Sequence, residues 1–136
     1  MKSKKPILLV EDDEVDVMNI QRAIRDIKVT NMVNTATNGE EALAFLRGKD
    51  VEKPCVILLD LNMPKMNGIE FLREVKNDKE LKIIPVVILT TSKEEVDRTE
   101  SFELGAAGYM IKPVDYQQFL EVIRTIDLYW TLSELP

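Results

Sequence analysis

Cys55-Val56-Ile57-Leu58-Leu59-Asp60-Leu61-Asn62-Met63-Pro64 is the stretch on which the fold turns. Its residues Cys55 to Leu59 are apolar without a break. A strand with one wet face alternates apolar and polar residues, whereas a strand covered on both faces does not. The run therefore predicts a central strand of a parallel sheet, and the acid Asp60 stands at its carboxyl end.

The same pattern recurs on either side. Ile7-Leu8-Leu9-Val10 and Pro85-Val86-Val87-Ile88-Leu89 read as further buried strands, with weaker ones at Val33 to Ala36 and Tyr109-Met110-Ile111. Amphipathic stretches fill the gaps. Val15, Met18, Ile20, Ala23, Ile24 and Ile27 recur at helical spacing, and Asp13 is placed to cap that helix. Asn38-Gly39-Glu40-Glu41 is a capped start ahead of Ala42, Leu43, Phe45 and Leu46, and Ile69 to Val75 is helical. Ser92-Lys93-Glu94-Glu95 has capping-box spacing and opens a helix that ends near Gly105; Tyr116, Phe119, Leu120 and Ile123 mark the last helix. This repeated βα order predicts an α/β fold, a doubly wound parallel five-stranded sheet with helices on both faces. With no internal repeat, linker or low-complexity tract, residues 1–136 read as a single domain.

Composition narrows the function. The chain has 136 residues, 45% of them hydrophobic, enough for one core. Eighteen basic against twenty-four acidic residues give a formal charge of −6, which argues against a nucleic-acid partner, because phosphate contacts demand Lys and Arg. There is no histidine. That removes imidazole acid/base chemistry, Ser-His-Asp triads and the commonest zinc ligand. The single Cys55 sits in an apolar run and fits a reducing compartment. No apolar run approaches the roughly 20 residues of a spanning helix. The basic start, Met1 to Lys5, precedes an apolar run too short for a signal peptide. A cytoplasmic protein with no membrane partner is expected.

In a doubly wound sheet, ligands bind outside the carboxyl ends of the strands. Glu11, Asp12 and Asp13 follow the first strand, Asp60 the third, Thr90 with Thr91 and Ser92 the fourth, and Lys112 with Pro113 the fifth. Acids, a hydroxyl and an ammonium thus converge on one edge. Clustered carboxylates stay ionised only around a cation, and an oxygen-only donor set points to Mg2+ or a similar hard ion. One carboxylate as nucleophile, one hydroxyl and one lysine suit a phosphoryl group as substrate. Singly, each residue has a plainer explanation: Asp13 as a helix cap, Asp60 as a loop cap, Thr90 in a local turn, Lys112 as a solvated lysine. Their convergence does not. No GxxxxGK[ST] and no GxGxxG is present, which disfavours a P-loop nucleotidase and a dinucleotide site.

These residues resemble the receiver domains of two-component response regulators. The resemblance is carried by Leu8-Leu9-Val10-Glu11-Asp12, Leu58-Leu59-Asp60-Leu61-Asn62-Met63-Pro64, Leu89-Thr90-Thr91-Ser92 and Gly108-Tyr109-Met110-Ile111-Lys112-Pro113. It spans about residues 6–128 and leaves 129–136 as an apolar tail. It implies a flavodoxin-like (βα)5 fold with strand order 2-1-3-4-5. It further implies Asp60 as phosphoacceptor, and Mg2+ held by Asp12, Asp60, the backbone carbonyl of Asn62 and, through water, Glu11. Thr90 and Lys112 would contact the phosphoryl oxygens, Thr90 and Tyr109 would form the switch, and Lys112–Pro113 would be cis. The implied donor is a phosphohistidine on a sensor histidine kinase or phosphotransfer protein, in keeping with a chain that has no histidine of its own. The implied role is a signalling switch rather than an enzyme, with autophosphorylation and slow autodephosphorylation as its only chemistry.

Two features are similar to the small stand-alone regulators paired with bacterial phytochromes: the long charged segment Arg47 to Pro54 and the apolar end Ile126 to Pro136, with its Trp130 and Leu135-Pro136. The short remainder after the last helix leads us to expect no output domain. Leu128 and Trp130 either fold back over the core or face a partner. Val122, Ile126 and Tyr129 form a second apolar line on the last helix, besides Phe119, Leu120 and Ile123. This predicts a homodimer through the face made by helix 4, strand 5 and helix 5. Three rival readings share parts of the site. A haloacid-dehalogenase-type phosphatase would need an acid where Asn62 stands. A phosphorylation-independent interaction module would not need the full set. A flavodoxin would bind flavin.

Overall fold

The structure, a computed structural model, describes residues 4–132. Strands and helices alternate: β1 (Ile7–Val10), α1 (Glu14–Asp26), β2 (Val33–Ala36), α2 (Gly39–Leu46), β3 (Val56–Leu59), α3 (Gly68–Lys76), β4 (Val86–Thr90), α4 (Glu95–Glu103), β5 (Gly108–Ile111) and α5 (Tyr116–Leu132). All pairings are parallel and the strand order is β2-β1-β3-β4-β5, as expected. β1, β3 and β4 are buried at every position, which is why their sequences do not alternate; β5, at the edge, is half-buried throughout.

The helices cover two faces. On one, Leu8, Val10, Ile57, Leu59, Val86 and Ile88 pack against Leu43, Leu46, Phe71, Leu72 and Val75 of α2 and α3. On the other, Ile7, Leu9, Val56, Leu58, Val87 and Leu89 meet Ile20, Ala23 and Ile24 of α1 and Phe119, Ile123 and Ile126 of α5. Successive strand residues point to opposite faces, so each unbroken apolar run feeds both cores at once.

Helix starts follow local chemistry. Asp13 caps α1, accepting from the N–H groups of Val15 and Asp16, and Asn38 caps α2 through the N–H of Glu41. Asn67 and Glu70 form a reciprocal capping box at α3. The box expected at Ser92 does not form. α4 starts only at Glu95, and its N-cap Glu94 makes no side-chain bond. The Ser92 hydroxyl instead donates to Asp97 Oδ2 at 2.6 Å and accepts the Glu94 N–H, so it serves a helix that has started later.

The end of the chain also corrects the sequence reading. Val122 and Ile126 are not on a second face: three- and four-residue steps put them on the same stripe as Phe119 and Ile123. Ile126 is 5% exposed in the core, and Val122 packs partly buried against it. Tyr129 and Leu128 are exposed, so Leu128 does not fold back over the core. α5 continues to Leu132, past the boundary expected near residue 128. The Trp130 side chain and residues 1–3 and 133–136 lie outside what the structure describes. No helix among the described residues is long and apolar enough to cross a membrane.

Candidate functional site

The strand order reverses between β1 and β3: the chain leaves β1 for β2 on one side and β3 for β4 on the other. That is where a crevice opens beyond the strand ends. Register brings the acids to it. Val10 is paired with Leu59, and the Asp60 N–H donates to the Val10 carbonyl at 3.1 Å, so Glu11 and Asp60 leave the sheet side by side. Thr90 pairs with Ile111, and the Lys112 N–H donates to the Thr90 carbonyl at 2.8 Å, which fixes where the lysine starts.

Glu11 is 1% exposed, Asp60 7% and Lys112 8%. Carboxylate oxygens of Glu11, Asp12 and Asp60 lie within 4.8 Å of one another. The Lys112 ammonium donates to Glu11 and to Asp16 Oδ2, the latter at 2.8 Å, and stands 3.6 Å from Asp60 Oδ2. The second oxygen of Asp60, Oδ1, is buried with no hydrogen-bond partner. An orphaned acceptor beside two further carboxylates is a costly arrangement unless a cation or a donor completes it. The donor set is oxygen only, so the residues fit a hard divalent cation. Asn62 lines the same cleft.

Burial pushes the Glu11 carboxyl up to about 7; the charge of Asp60 adds to the rise, and the bond from Lys112 opposes it. Burial disfavours the Lys112 charge, but its bonds to Asp16 and Glu11 and the charges of Asp60 and Glu11 outweigh that and hold its pKa above the ordinary value.

Thr90 is fully buried at the end of β4, and its hydroxyl accepts the Ser92 N–H at 3.3 Å. The Tyr109 hydroxyl donates to the Ser92 carbonyl at 3.0 Å. Ser92 therefore links three parts: Thr90 by its N–H, Tyr109 by its carbonyl and α4 by its hydroxyl. The loop after Asp60 is held closely. A Cβ on Gly68 would stand 2.4 Å from the Asp60 carbonyl oxygen and 2.7 Å from Leu61 Cα, so only glycine lets α3 start there.

The structure thus brings together Glu11, Asp12, Asp60 and Lys112, sets Thr90 one strand away, and places Asp13 as a cap. The Lys112–Pro113 peptide, expected cis, is trans; cis is the less stable isomer by about 0.5–1 kcal/mol, and the Lys112 side chain reaches both acids from the trans chain. The strand-end rule missed Asp16, because it sits in the first turn of α1 rather than after a strand.

Comparison with known proteins agrees with this geometry. The profile of the response regulator receiver domain matches residues 7–124. Response regulator Rcp1 of Synechocystis sp. is 36% identical over 130 residues, covering 93% of this chain and 88% of that protein. Its Mn2+-bound crystal structure has a TM-score of 0.89 and covers 97% of this chain and 99% of its own. The crystal structure of the phosphorylated cyanobacterial phytochrome response regulator RcpA has a TM-score of 0.90 at 40% identity, over 97% of each chain. The probable methanogenesis regulatory protein FilR2 of Methanothrix harundinacea is 35% identical over 127 residues, which is 91% of this chain and 82% of that protein.

Proposed function

The chain belongs to the response regulator receiver domain family, and from that premise we propose that it is a phosphorylation-controlled switch of a two-component phosphorelay, charged on Asp60. The donor is a phosphohistidine of a sensor histidine kinase. An Asp60 carboxylate oxygen forms the new bond to phosphorus as the phosphorus–nitrogen bond breaks, and the bonding electron pair leaves with the donor imidazole. Mg2+ would be held by Asp12, Asp60, the Asn62 carbonyl and, through water, Glu11, and would supply charge neutralisation for the phosphoryl oxygens. Lys112 neutralises charge from the other side, and Thr90 donates to a phosphoryl oxygen. A receiver of this kind transfers and slowly loses its own phosphate, but its output is binding.

The observation that carries this reading is the buried Asp60, with one oxygen unpartnered and two carboxylates and an ammonium around it. Likeness to the cyanobacterial phytochrome response regulator RcpA supports a phytochrome-type kinase as the partner. A homodimer through α4, β5 and α5 is supported by exposed Val96 and Phe102 on α4 and Leu128 and Tyr129 on α5. Ile126, in the core, takes no part.

The test is labelling by a small phosphodonor such as acetyl phosphate with Mg2+. Acid-labile label is expected on the wild type and absent from Asp60→Asn or after chelation. Retained label in either case would refute the site.

A further inference from the structure

Asp16 belongs to none of the strand ends that build the site, yet it holds the ammonium at the site's centre. It lies in the first turn of α1, 96 residues before Lys112, and its Oδ2 accepts from Lys112 Nζ at 2.8 Å. The Lys112 side chain is 5% exposed, that of Asp16 31%, so the pair bridges the buried site and its mouth. An ammonium has three N–H bonds in fixed tetrahedral relation. Here one goes to Glu11 and one to Asp16, leaving a third on the side where Asp60 Oδ2 stands 3.6 Å away. With two bonds made, the nitrogen can no longer rotate. With only Glu11 as anchor it could turn about that bond, or collapse wholly onto the carboxylates that a metal ion needs. Asp16 is itself held: Asp13 accepts its N–H at 3.1 Å, which pins the first turn of the helix.

We propose that Asp16 is a positioning residue for phosphoryl transfer, the second anchor that aims the Lys112 ammonium at the phosphoryl oxygens on Asp60. This rests on the function proposed above. Asp16 does not touch the reacting atoms; it acts through Lys112.

The experiment measures the initial rate of labelling with acetyl phosphate and Mg2+ across a donor series. In that reaction Asp60 displaces acetate, which leaves with the electron pair of the broken phosphorus–oxygen bond. Asp16→Ala is expected to lower the maximal rate on the order of tenfold, the worth of one charge-assisted hydrogen bond, with little change in the half-saturating donor concentration. Asp16→Asn, which keeps an acceptor but not the charge, should lose only a few-fold. Glu14→Gln removes an acid that lines the same cleft but is not among the ion-pair partners of Lys112, which are Glu11, Asp16 and Asp60, and should stay within about twofold of wild type.

The deciding readout is a double-mutant cycle. In the Lys112→Met background, where residual labelling is slow, neither Asp16 substitution should have a further effect. Wild-type rates in both Asp16 variants would overturn the proposal. So would an Asp16 effect that persists undiminished in the Lys112→Met background, the result expected if Asp16 only supports the fold. Should Asp16→Ala not fold, the Asp16→Asn arm of the cycle decides alone. A wild-type protein that does not label at all would instead sink the phosphoacceptor reading, so the two failures are distinguishable.

Discussion

Individual residues in this site are legible to different degrees. Asp60 and Lys112 could be read from sequence because a strand end fixes where the next side chain emerges. Asp16 could not, because its contact with Lys112 depends on how the first turn of α1 lies against the end of β5. Glu11 carries a pH signature. Its carboxyl titrates near 7 in the fold because it is buried, against 4.5 when unperturbed. Between those values the folded state holds a proton that the unfolded state has lost, so stability falls as pH rises through the window and levels off above it. Urea unfolding of the metal-free protein at pH 5 and pH 7.5 should show this loss, and Glu11→Gln should flatten it. A slope unchanged by the substitution would assign the titration elsewhere. Asp13 answers a different question. As a cap with two N–H partners, its replacement by Ala should lower stability by about 1 kcal/mol, a few degrees in Tm, while Asp60 still labels. Loss of label at full stability would make Asp13 a ligand instead.

Elements are tied to the site through their first turns. α3 begins against the backbone of Asp60 and Leu61, and Gly68 is the residue that permits it. Gly68→Ala inserts a methyl where the contact is already closed, and should destabilise by about 1–3 kcal/mol and slow labelling together. A variant with wild-type melting and wild-type labelling would mean that the loop yields without consequence. α4 begins differently. It has no side-chain cap at Glu94, and the Ser92–Asp97 bond stands in for one. The spacing Ser92-Lys93-Glu94-Glu95 suggested a capping box because local sequence cannot register that Ser92 has its backbone committed to Thr90 and Tyr109. These commitments delayed the helix and turned its start into part of the loop that joins Thr90 to Tyr109.

At the scale of the whole molecule, the parallel sheet between two helical layers was legible because unbroken apolar runs alternating with amphipathic stretches have few other solutions. The role of α5 was not. The sequence reading counts Val122 and Ile126 with Tyr129 on an outer face, but the structure puts Ile126 in the core cluster that holds Ile7, Leu9 and Leu58, with Val122 partly buried against it. Ile126→Ala should therefore lower stability by about 2–5 kcal/mol whatever the oligomeric state. Sedimentation tests the other half: a dimer is expected, weakened by Leu128→Ala or Tyr129→Ala, and a monomer at high concentration with and without a phosphoryl analogue would refute it. Sequence by itself determined the strands, their polar ends and, through the absence of histidine, that no phosphohistidine lies within these 136 residues. These are local properties, set by side-chain period and residue chemistry. Only the tertiary structure decided that Tyr109 joins Ser92 and that Asp16 grips Lys112. The Tyr109–Ser92 and Asp16–Lys112 contacts join residues 17 and 96 positions apart, and no local pattern records such distances.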